Sequence, residues 1–467
     1  MRLKPTKLIV HKLGPFDHLE LNWDNKDSRR TLIVAENGLG KTTLVAALAA
    51  CLSFGNEYTF PLDELIRFAH DETAYAYLEL DIGGKTGWVF YSVKQFSLSI
   101  NYPNIIKDNH KIINLSAGKT TQAPIYAPDI IPEFLALKNP IYLVYASHKN
   151  DAPNSICSFE LGRFLPYLNL ENTILKQLLN GVYGTNRNIH HAYIDQYKTV
   201  EPLEYENLNP FVSLESEMLL QFVTNQYINH ALALADDKPQ EAIAYKQIIE
   251  RITEALSDEL QVSVQFTVKR NPLELELTLD GVPVSIDQLS DGTRSFMSWI
   301  LDYLMRASYV DWKDPTDSVN PSGIVVVDEI DSHLHPEWQR RIMSVVSKLL
   351  PNVYLIATTH SPFVLASAED TQVFRLYRDG AGEIAVQSNF GDLYGYPADL
   401  VLEKAFSMDS LYPPEIERKL NRLSELAGKM SFGTLSEAEQ TEHDELLQEL
   451  AKVNPWLNNL LNLAQTR

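Results

Sequence analysis

A glycine-bearing segment near the N-terminus contains the residue types that bind phosphate. It follows three β-favouring residues at 32–34 and precedes the alanine-rich apolar run 44–52. Glycine lets backbone N–H groups approach phosphate oxygens, and the helix that follows points its positive end at the anion. A lysine there neutralises the β- and γ-phosphates, and a threonine hydroxyl suits Mg²⁺. We therefore predict that nucleotide phosphates contact Glu36, Asn37, Gly38, Leu39, Gly40, Lys41, Thr42 and Thr43.

One position of this segment departs from the usual pattern. The motif G-x-x-x-x-G-K-[ST] begins with glycine, whereas this chain has Ala35. Alanine is a mild change at the end of a strand, so we keep the interpretation. The alternative is an ordinary glycine-containing turn between a strand and a helix, and the motifs further along the chain weaken that alternative.

Paired carboxylates follow a second apolar strand. The run 324–327 is typical of a buried strand, and it ends in Asp328 and Glu329. Open α/β sheets bind ligands at the carboxyl ends of their strands. Asp328 suits the coordination shell of Mg²⁺, and Glu329 suits a base that polarises water for attack on the γ-phosphate. The next apolar strand leads to His360 at the same edge of the sheet. We predict that Thr42 and Asp328 hold Mg²⁺ at this edge.

The remaining pattern predicts two lobes joined by a helical segment. Alternating apolar residues predict strands at 7–23, 74–82, 88–100, 260–268 and 273–279. Apolar residues at helical spacing predict helices over most of 161–256 and most of the chain beyond 362. A capping box from Ser436 to Glu439 predicts the second helix of a C-terminal hairpin. The predicted domains are an N-terminal lobe (1–150), a helical insertion (151–257), a second lobe (258–405) and the hairpin (406–467).

Composition excludes several classes of protein. The 467 residues carry a net charge of −21, which argues against a surface that coats nucleic acid. Two cysteines are too few for a disulfide framework. The N-terminus has no apolar leader, and no apolar run approaches transmembrane length. We therefore expect a cytoplasmic protein without membrane contact.

The motifs occur in the order found in one group of ATPases. The chain resembles the ABC-type ATPase heads of the SMC, RecF and OLD-like group in its phosphate-binding loop, a signature at 289–293, a Walker B segment at 324–329 and the switch histidine His360. The segment 327–336, which ends in the letters LHP, is similar to the OLD-like branch. The resemblance implies an α/β P-loop fold with a mixed sheet, an antiparallel β lobe, a helical insertion and a C-terminal helical hairpin.

The resemblance also implies a mechanism. In such heads the signature of one subunit closes over ATP held by the phosphate-binding loop of another. Carried over, Ser290 and Gly292 would cap the γ-phosphate in trans, and Lys41, Glu329 and His360 would be the catalytic residues. The implied enzyme hydrolyses ATP to ADP and phosphate with Mg²⁺. Its homo-dimer or higher homo-oligomer would close with ATP and open on hydrolysis.

Two positions depart from the family pattern. The aspartate expected after the Walker B segment is replaced by His335, so communication between two ATP sites would differ. A Q-loop glutamine is not evident near His70, and no residue is assigned to that role. A zinc site at His333, His335 and His360 is disfavoured because the segment offers no cysteine and no fixed third ligand.

The chain most resembles the stand-alone ATPase subunits of anti-phage defence systems. Its tail, residues 393–396 followed by a helical hairpin, is similar to the Septu PtuA type, whose partner is an HNH nuclease. The ATPase subunit of PARIS systems, which holds a Toprim effector until a phage trigger appears, is the second candidate. No Asp-x-Asp pair follows His360, so a nuclease would be a separate chain. The resemblance implies a sensor and scaffold that gates a partner nuclease by its nucleotide state.

Two other classes stay open. A RecF-like repair ATPase would bind DNA between its heads, and Lys7, Lys12, Arg29 and Arg30 are local candidates for that contact. In so acidic a chain, solvated surface charge is the better interpretation of these residues. A transporter ATPase subunit is disfavoured because the predicted helical insertion is large and the LHP ending is unlike such subunits.

Overall fold

The computed structural model describes the chain in ranges separated by gaps. The described residues are 3–23, 28–52, 68–70, 74–82, 86–92, 142–147, 181–185, 187, 189–190, 192, 216–271, 273–309, 320–388, 390–391, 393–408 and 410–453. The chain divides into two compact units, Met1–Val401 and Leu402–Arg467. Among the described helices, none is long and apolar enough to cross a membrane.

The secondary structure of the described residues alternates between strands and helices. The strands are β1 (Leu3–Leu13), β2 (Phe16–Asn22), β3 (Arg30–Ala35), β4 (Tyr75–Ile82), β5 (Thr86–Ser92), β6 (Tyr142–Ser147), β7 (Gly181–Tyr183), β8 (Val264–Arg270), β9 (Leu273–Leu279), β10 (Val282–Val284), β11 (Gly323–Val327), β12 (Val353–Thr359), β13 (Thr371–Arg378) and β14 (Ile384–Gln387). The helices are α1 (Lys41–Leu52), α2 (Ser216–Ala235), α3 (Pro239–Leu260), α4 (Asp291–Tyr309), α5 (Pro336–Gln339), α6 (Ile342–Leu349), α7 (Pro362–Ala366), α8 (Ala398–Phe406), α9 (Pro414–Ser431) and α10 (Glu437–Val453).

A six-stranded sheet carries the phosphate-binding loop. Its order is β14-β13-β3-β12-β11-β7, and every neighbouring pair is parallel except the antiparallel pair of β13 and β14. Strands β11 and β12 are buried along their whole length, as expected for parallel strands covered on both faces. Because β3, β12 and β11 are parallel neighbours, the residues that follow them lie at one edge of the sheet.

A second sheet has the order β2-β1-β4-β5-β6. Its strands pair in antiparallel fashion except β5 and β6, which are parallel. Leu8 of β1 pairs with Leu21 on one side and Leu78 on the other, and all three side chains are buried. Such cross-strand apolar contacts are the unit of sheet stabilisation. The prediction of a mixed first lobe is confirmed for the described residues.

Helix α1 packs in a core that both sheets share. Every residue of α1 except Thr42 is buried. The same core contains side chains from β1 and β4 of one sheet and from β3, β11 and β12 of the other. A helix that is apolar on all sides is stable only when it is buried on all sides. The alanines of α1 are small enough for strands to approach closely, which fixes the position of its N-terminus.

Helices α2 and α3 pack against each other, and β8, β9 and β10 form a small antiparallel sheet after them. The two helices are separated by a short turn at 236–238. Ile248, Ile252 and Leu256 of α3 are buried, whereas Leu232 of α2 and Ile243 of α3 are more than half exposed. The helices predicted for this stretch are therefore confirmed over 216–260, but some of their apolar residues face outward.

The unit Leu402–Arg467 contains the predicted helical hairpin of α9 and α10. Leu423, Leu426 and Leu450 are buried in it. Arg422 donates two hydrogen bonds to the Glu442 carboxylate, at 2.9 and 2.7 Å. The capping box is also present, because the Ser436 amide donates to the Glu439 carboxylate at 3.0 Å. The ion pair of Arg422 and Glu442 therefore joins the two helices, and the capping box fixes the start of the second one.

Three sequence predictions need correction. The chain beyond 362 is not mostly helical at first, because β13 joins β3 and β14 joins β13 at the edge of the central sheet. The predicted strand from 260 begins only at Val264, since Leu260 ends α3. Finally, β7 lies within the stretch predicted to be mostly helical and is an edge strand of the central sheet. A three-residue strand is too short to show a period in sequence.

We expect Leu48→Ala to lower stability strongly, because Leu48 is fully buried in α1 between the two sheets. Truncation of a buried leucine costs about 2–5 kcal/mol, since it removes apolar burial and leaves a cavity. The apparent melting temperature measures this loss. The matched control is Leu232→Ala, which truncates a leucine that is 54% exposed. An equal loss in both variants would contradict the assigned core.

Candidate nucleotide-binding site

The loop between β3 and α1 has the backbone of a phosphate-binding turn. Gly38 and Gly40 have φ of 79° and 91°, a left-handed region that favours glycine. A Cβ atom on Gly40 would lie 2.4 Å from Cζ of Phe16, so only glycine fits there. The side chains of Glu36 and Asn37 are exposed, whereas Leu39 and Thr43 are buried in the core. The side chains of Leu39 and Thr43 therefore pack in the core. Only their backbone amides remain for the predicted contact with phosphate.

Lys41 is folded over the carbonyl oxygens of its own loop. Its Nζ donates to the carbonyl oxygens of Ala35 at 3.0 Å and Glu36 at 3.2 Å. Burial lowers the pKa of Lys41, and the nearby carboxylates, led by Asp328, act in the opposite direction. The lysine is thus a buried cation at the N-terminus of α1, close to the carboxylates that follow β11.

One hydrogen-bonded cluster joins the ends of three strands. The Thr42 hydroxyl donates to Oδ2 of Asp328 at 3.3 Å, across 286 positions of sequence. The Thr358 hydroxyl donates to Oδ1 of the same carboxylate at 2.6 Å. The backbone N–H of Glu329 donates to Thr358 Oγ1, also at 2.6 Å. Asp328 is 3% exposed, so this cluster fixes the carboxylate in a protected position.

Glu329 follows in a turn of unusual conformation. Its φ is 47°, a left-handed value that costs a residue other than glycine about 1–3 kcal/mol. The next amide, of Ile330, donates to the Thr358 carbonyl at 3.0 Å. The turn is therefore held by hydrogen bonds on both sides of Glu329, whose side chain is half-buried.

Arg187 is part of the site, although no motif in the sequence marks this residue. Its guanidinium donates to the carbonyl oxygens of Asp328 at 2.7 Å and Glu329 at 2.8 Å. It also donates to Oγ of Ser295 at 3.2 Å. Burial lowers the pKa of Arg187 to about 10, which the nearby carboxylates partly oppose. An isolated arginine beyond a short strand carries no motif, so the fold alone reveals this contact.

His360 follows β12 at the same edge. Its Nε2 is buried and has no hydrogen-bond partner among the described residues. Burial lowers the pKa of His360, and the positive charge of Lys41 lowers it further. The imidazole is therefore mostly neutral at neutral pH.

The signature residues form the start of α4. The Thr293 amide donates to Ser290 Oγ at 3.1 Å, so Ser290 caps the helix, and its side chain is exposed. A Cβ atom on Gly292 would lie 2.5 Å from the His333 carbonyl oxygen. Close packing against the turn after β11 accounts for this glycine within one chain. The contact of Ser290 and Gly292 with a second subunit's nucleotide stays a prediction.

A cavity of about 210 Å³ lies beside the signature and is lined by Glu259, Thr293, Trp338 and others. Glu259 is 7% exposed, and its Oε2 has no hydrogen-bond partner among the described residues. Burial raises the pKa of Glu259 to about 8, which a hydrogen bond from Thr293 partly opposes. A carboxyl group at the end of α3 is therefore largely protonated at neutral pH.

Comparisons with known proteins find a matching family model and several relatives. A family model described as "AAA domain, putative AbiEii toxin, Type IV TA system" matches residues 197–366, which include the signature, Asp328 and His360. The Retron Vc95 probable ATPase of Vibrio cholerae is 23% identical over 79% of this chain and 73% of its own length. The Septu protein PtuA of Bacillus thuringiensis is 26% identical over 36% of this chain and 45% of its own.

The solved SMC head domain from Thermotoga maritima is 13% identical, with a TM-score of 0.37, over 83% of this chain and 99% of that chain.

The fold and the site together fit the predicted α/β P-loop fold. The phosphate-binding loop, the buried aspartate of the neighbouring strand and the following histidine lie at one sheet edge. The predicted resemblance to ATPases of defence systems is confirmed by the AAA-domain model and by the retron and Septu relatives.

We expect Thr358→Val to lower kcat by at least about tenfold, because it removes the hydroxyl that orients Asp328 and leaves the buried Glu329 amide without its acceptor. Steady-state ATPase kinetics measure the effect. Thr31→Val is the matched control, since its buried hydroxyl contacts Trp23 and Tyr354 at the other end of the sheet. If Thr358→Val kept the wild-type kcat, this cluster would have no role in catalysis.

We expect Glu259→Gln to change how stability depends on pH. The folded chain keeps the Glu259 proton up to about pH 8, whereas the unfolded chain releases it near pH 4.5. Wild-type stability should therefore fall as the pH rises through this window, and glutamine should abolish that part of the fall. Apparent melting temperatures from pH 4.5 to 9 measure it, with the exposed Glu254→Gln of the same helix as control. Parallel curves for wild type and Glu259→Gln would contradict the assignment.

Proposed function

We propose that this chain is an ATP-binding and ATP-hydrolysing subunit that gates a partner nuclease in a bacterial anti-phage defence complex. The observation that carries the ATPase part is the hydrogen bond between Thr42 and Asp328. It joins the phosphate-binding loop to the acidic residue after β11, which are distant in sequence. A hydroxyl and a carboxylate at this position form a donor set that suits Mg²⁺.

In the proposed reaction each residue has a separate task. The loop amides and Lys41 bind the phosphates, and Thr42 and Asp328 would hold Mg²⁺, which supplies positive charge to the phosphate oxygens. Glu329 polarises the attacking water, and the neutral His360, whose buried Nε2 has no hydrogen-bond partner among the described residues, contacts the γ-phosphate or that water. The fixed turn around Glu329 supports this role, because a base must be held within hydrogen-bonding reach of the water.

The proposed regulatory step is dimerisation of two heads. Ser290 is exposed at the N-terminus of the 19-residue helix α4, which supports its approach to a nucleotide bound by a second copy. Two copies related by a two-fold axis would enclose two nucleotides, each between the phosphate-binding loop of one copy and the signature of the other. ATP would stabilise the closed dimer, and hydrolysis would release it.

The nuclease part of the proposal comes from the relatives. The similarity to the Retron Vc95 probable ATPase and to Septu protein PtuA supports a role in a defence system. We propose a separate nuclease of the HNH type as the partner, with a Toprim effector as the alternative. In either case the nucleotide state of the heads would control the release or activity of that partner.

The contacts of the basic residues favour this function over direct DNA binding. Lys7 forms an ion pair with Glu20 at 2.9 Å. Arg29 donates to the Pro351 carbonyl at 2.7 Å, and Arg30 donates to the Glu369 carbonyl at 3.3 Å. Each of these three side chains already has a partner within the protein, which weighs against a role in binding DNA phosphates.

We expect Lys41→Ala to abolish nucleotide binding and Glu329→Gln to retain ATP and accumulate as a closed dimer. The first variant loses the cation at the phosphates, and the second keeps the site but loses the base. Fluorescent-nucleotide titration and light scattering with Mg-ATP measure these two effects. Normal turnover by Glu329→Gln would overturn the catalytic assignment.

The partner is tested by affinity purification of the tagged chain expressed with its native neighbouring genes. The proposal predicts recovery of a nuclease with wild type and a change in the recovered amount or nuclease activity in Lys41→Ala. The matched control is Lys246→Ala, which removes an exposed lysine of α3 that pairs with Glu250. Recovery of the chain alone, together with stimulation of its ATPase by DNA, would instead favour a RecF-like repair ATPase.

A further inference from the structure

Arg187 connects two parts of the proposed catalytic site that are far apart in sequence. Its side chain, 5% exposed, donates from three different nitrogens to three different acceptors. Two acceptors are the carbonyl oxygens of Asp328 and Glu329, so the guanidinium holds the turn rather than the carboxylates. The third is Oγ of Ser295, which lies one turn beyond Gly292 on the signature helix α4.

The chemistry of this contact favours arginine over other residues. Arginine has five N–H donors in a planar fork, whereas lysine has a compact ammonium on a flexible stem. The guanidinium reaches two adjacent carbonyl oxygens and a side chain in a different direction at once. The negative charges of Asp328, Glu329 and Asp331 offset part of the cost of burying the cation.

A second contact joins the same two elements nearby. The Tyr183 hydroxyl donates to Oδ2 of Asp302 on α4 at 2.8 Å, and Arg306 binds the same carboxylate at 2.9 Å. The Tyr183 carbonyl also accepts a hydrogen bond from the Asp328 amide at 2.8 Å. Strand β7 and the residues after it therefore lie between the signature helix and the turn that carries Glu329.

We propose that Arg187 is a positioning residue for ATP hydrolysis, which fixes the turn of Asp328 and Glu329 to the signature helix through Ser295. This inference rests on the proposed function, in which Glu329 is the catalytic base. Movement of α4 when the signature binds a nucleotide would reach Glu329 of the same chain through Arg187. The base would then be placed correctly only when α4 has its closed position.

Ser295→Ala tests the connection with little change to the fold, because it removes one buried hydroxyl and keeps Arg187. Ser298→Ala is the matched control, since Ser298 is also buried on α4 but donates only to the Ser295 carbonyl. Arg187→Lys is the second test variant, and it keeps the charge but not the fork. The readouts are kcat, the affinity for a fluorescent ATP analogue and the apparent melting temperature.

The proposal predicts that Ser295→Ala and Arg187→Lys lower kcat by at least about tenfold while nucleotide affinity stays within about twofold of wild type. The double variant of Arg187→Lys and Ser295→Ala should lose no more kcat than Arg187→Lys alone, because both changes break the same connection. Ser298→Ala should keep the wild-type kcat. A positioning role is overturned if both test variants keep the wild-type kcat, or if Ser298→Ala loses as much as Ser295→Ala.

Glu329→Gln, measured in parallel, separates this inference from the proposed function. If Glu329→Gln turns over ATP normally, the proposed base is wrong and the role assigned to Arg187 falls with it. If Glu329→Gln is inactive but Ser295→Ala and Arg187→Lys are fully active, the proposed function stands and this inference alone is overturned. Loss of activity in all three variants, with unchanged nucleotide affinity, supports both.

Discussion

The site depends on the burial of helix α1 between two sheets. Because every residue of α1 except Thr42 is buried, the helix has no freedom to shift against either sheet. Its N-terminus, with Lys41 and the preceding glycines, is therefore fixed next to the ends of β3, β12 and β11. Gly40 adds a second constraint, since the loop passes so close to Phe16 of β2 that a Cβ atom would not fit there. Anion binding at a helix N-terminus needs such a fixed backbone, because the amides must already face the phosphates.

Hydroxyl groups then position the acidic residues. Asp328 contacts Thr42 and Thr358, and Thr358 also accepts the Glu329 amide, so three elements meet in one network. Arg187 extends the network to the signature helix through backbone carbonyls and Ser295. The left-handed conformation of Glu329 persists because these contacts surround it. A change at the signature could therefore reach the proposed base without any movement of the sheet.

Local patterns in the sequence were sufficient for the parts of the fold that carry local signals. The glycine-bearing loop, the apolar run before Asp328 and the capping box at Ser436 each predicted the correct element. The sequence pattern does not indicate strand β13, because the buried Gln372 interrupts its apolar residues. The side-chain amide of Gln372 donates a hydrogen bond to the Asn22 carbonyl. Arg187 and Thr358 were missed because their roles come from contacts across the sheet. Their residue types are ordinary, and only the parallel pairing of strands brings them to the site.

The most direct test of the account is a mixing experiment with two inactive variants, Lys41→Ala and Ser290→Arg. The first lacks a working phosphate-binding loop, and the second lacks a working signature. If each ATP site is shared between two chains, an equal mixture forms dimers with one intact site and regains about a quarter of wild-type ATPase activity. We expect this recovery, together with a dimer mass by light scattering in Mg-ATP. If the mixture stays as inactive as its components, or if Ser290→Arg alone is fully active, the signature does not act on a second subunit's nucleotide.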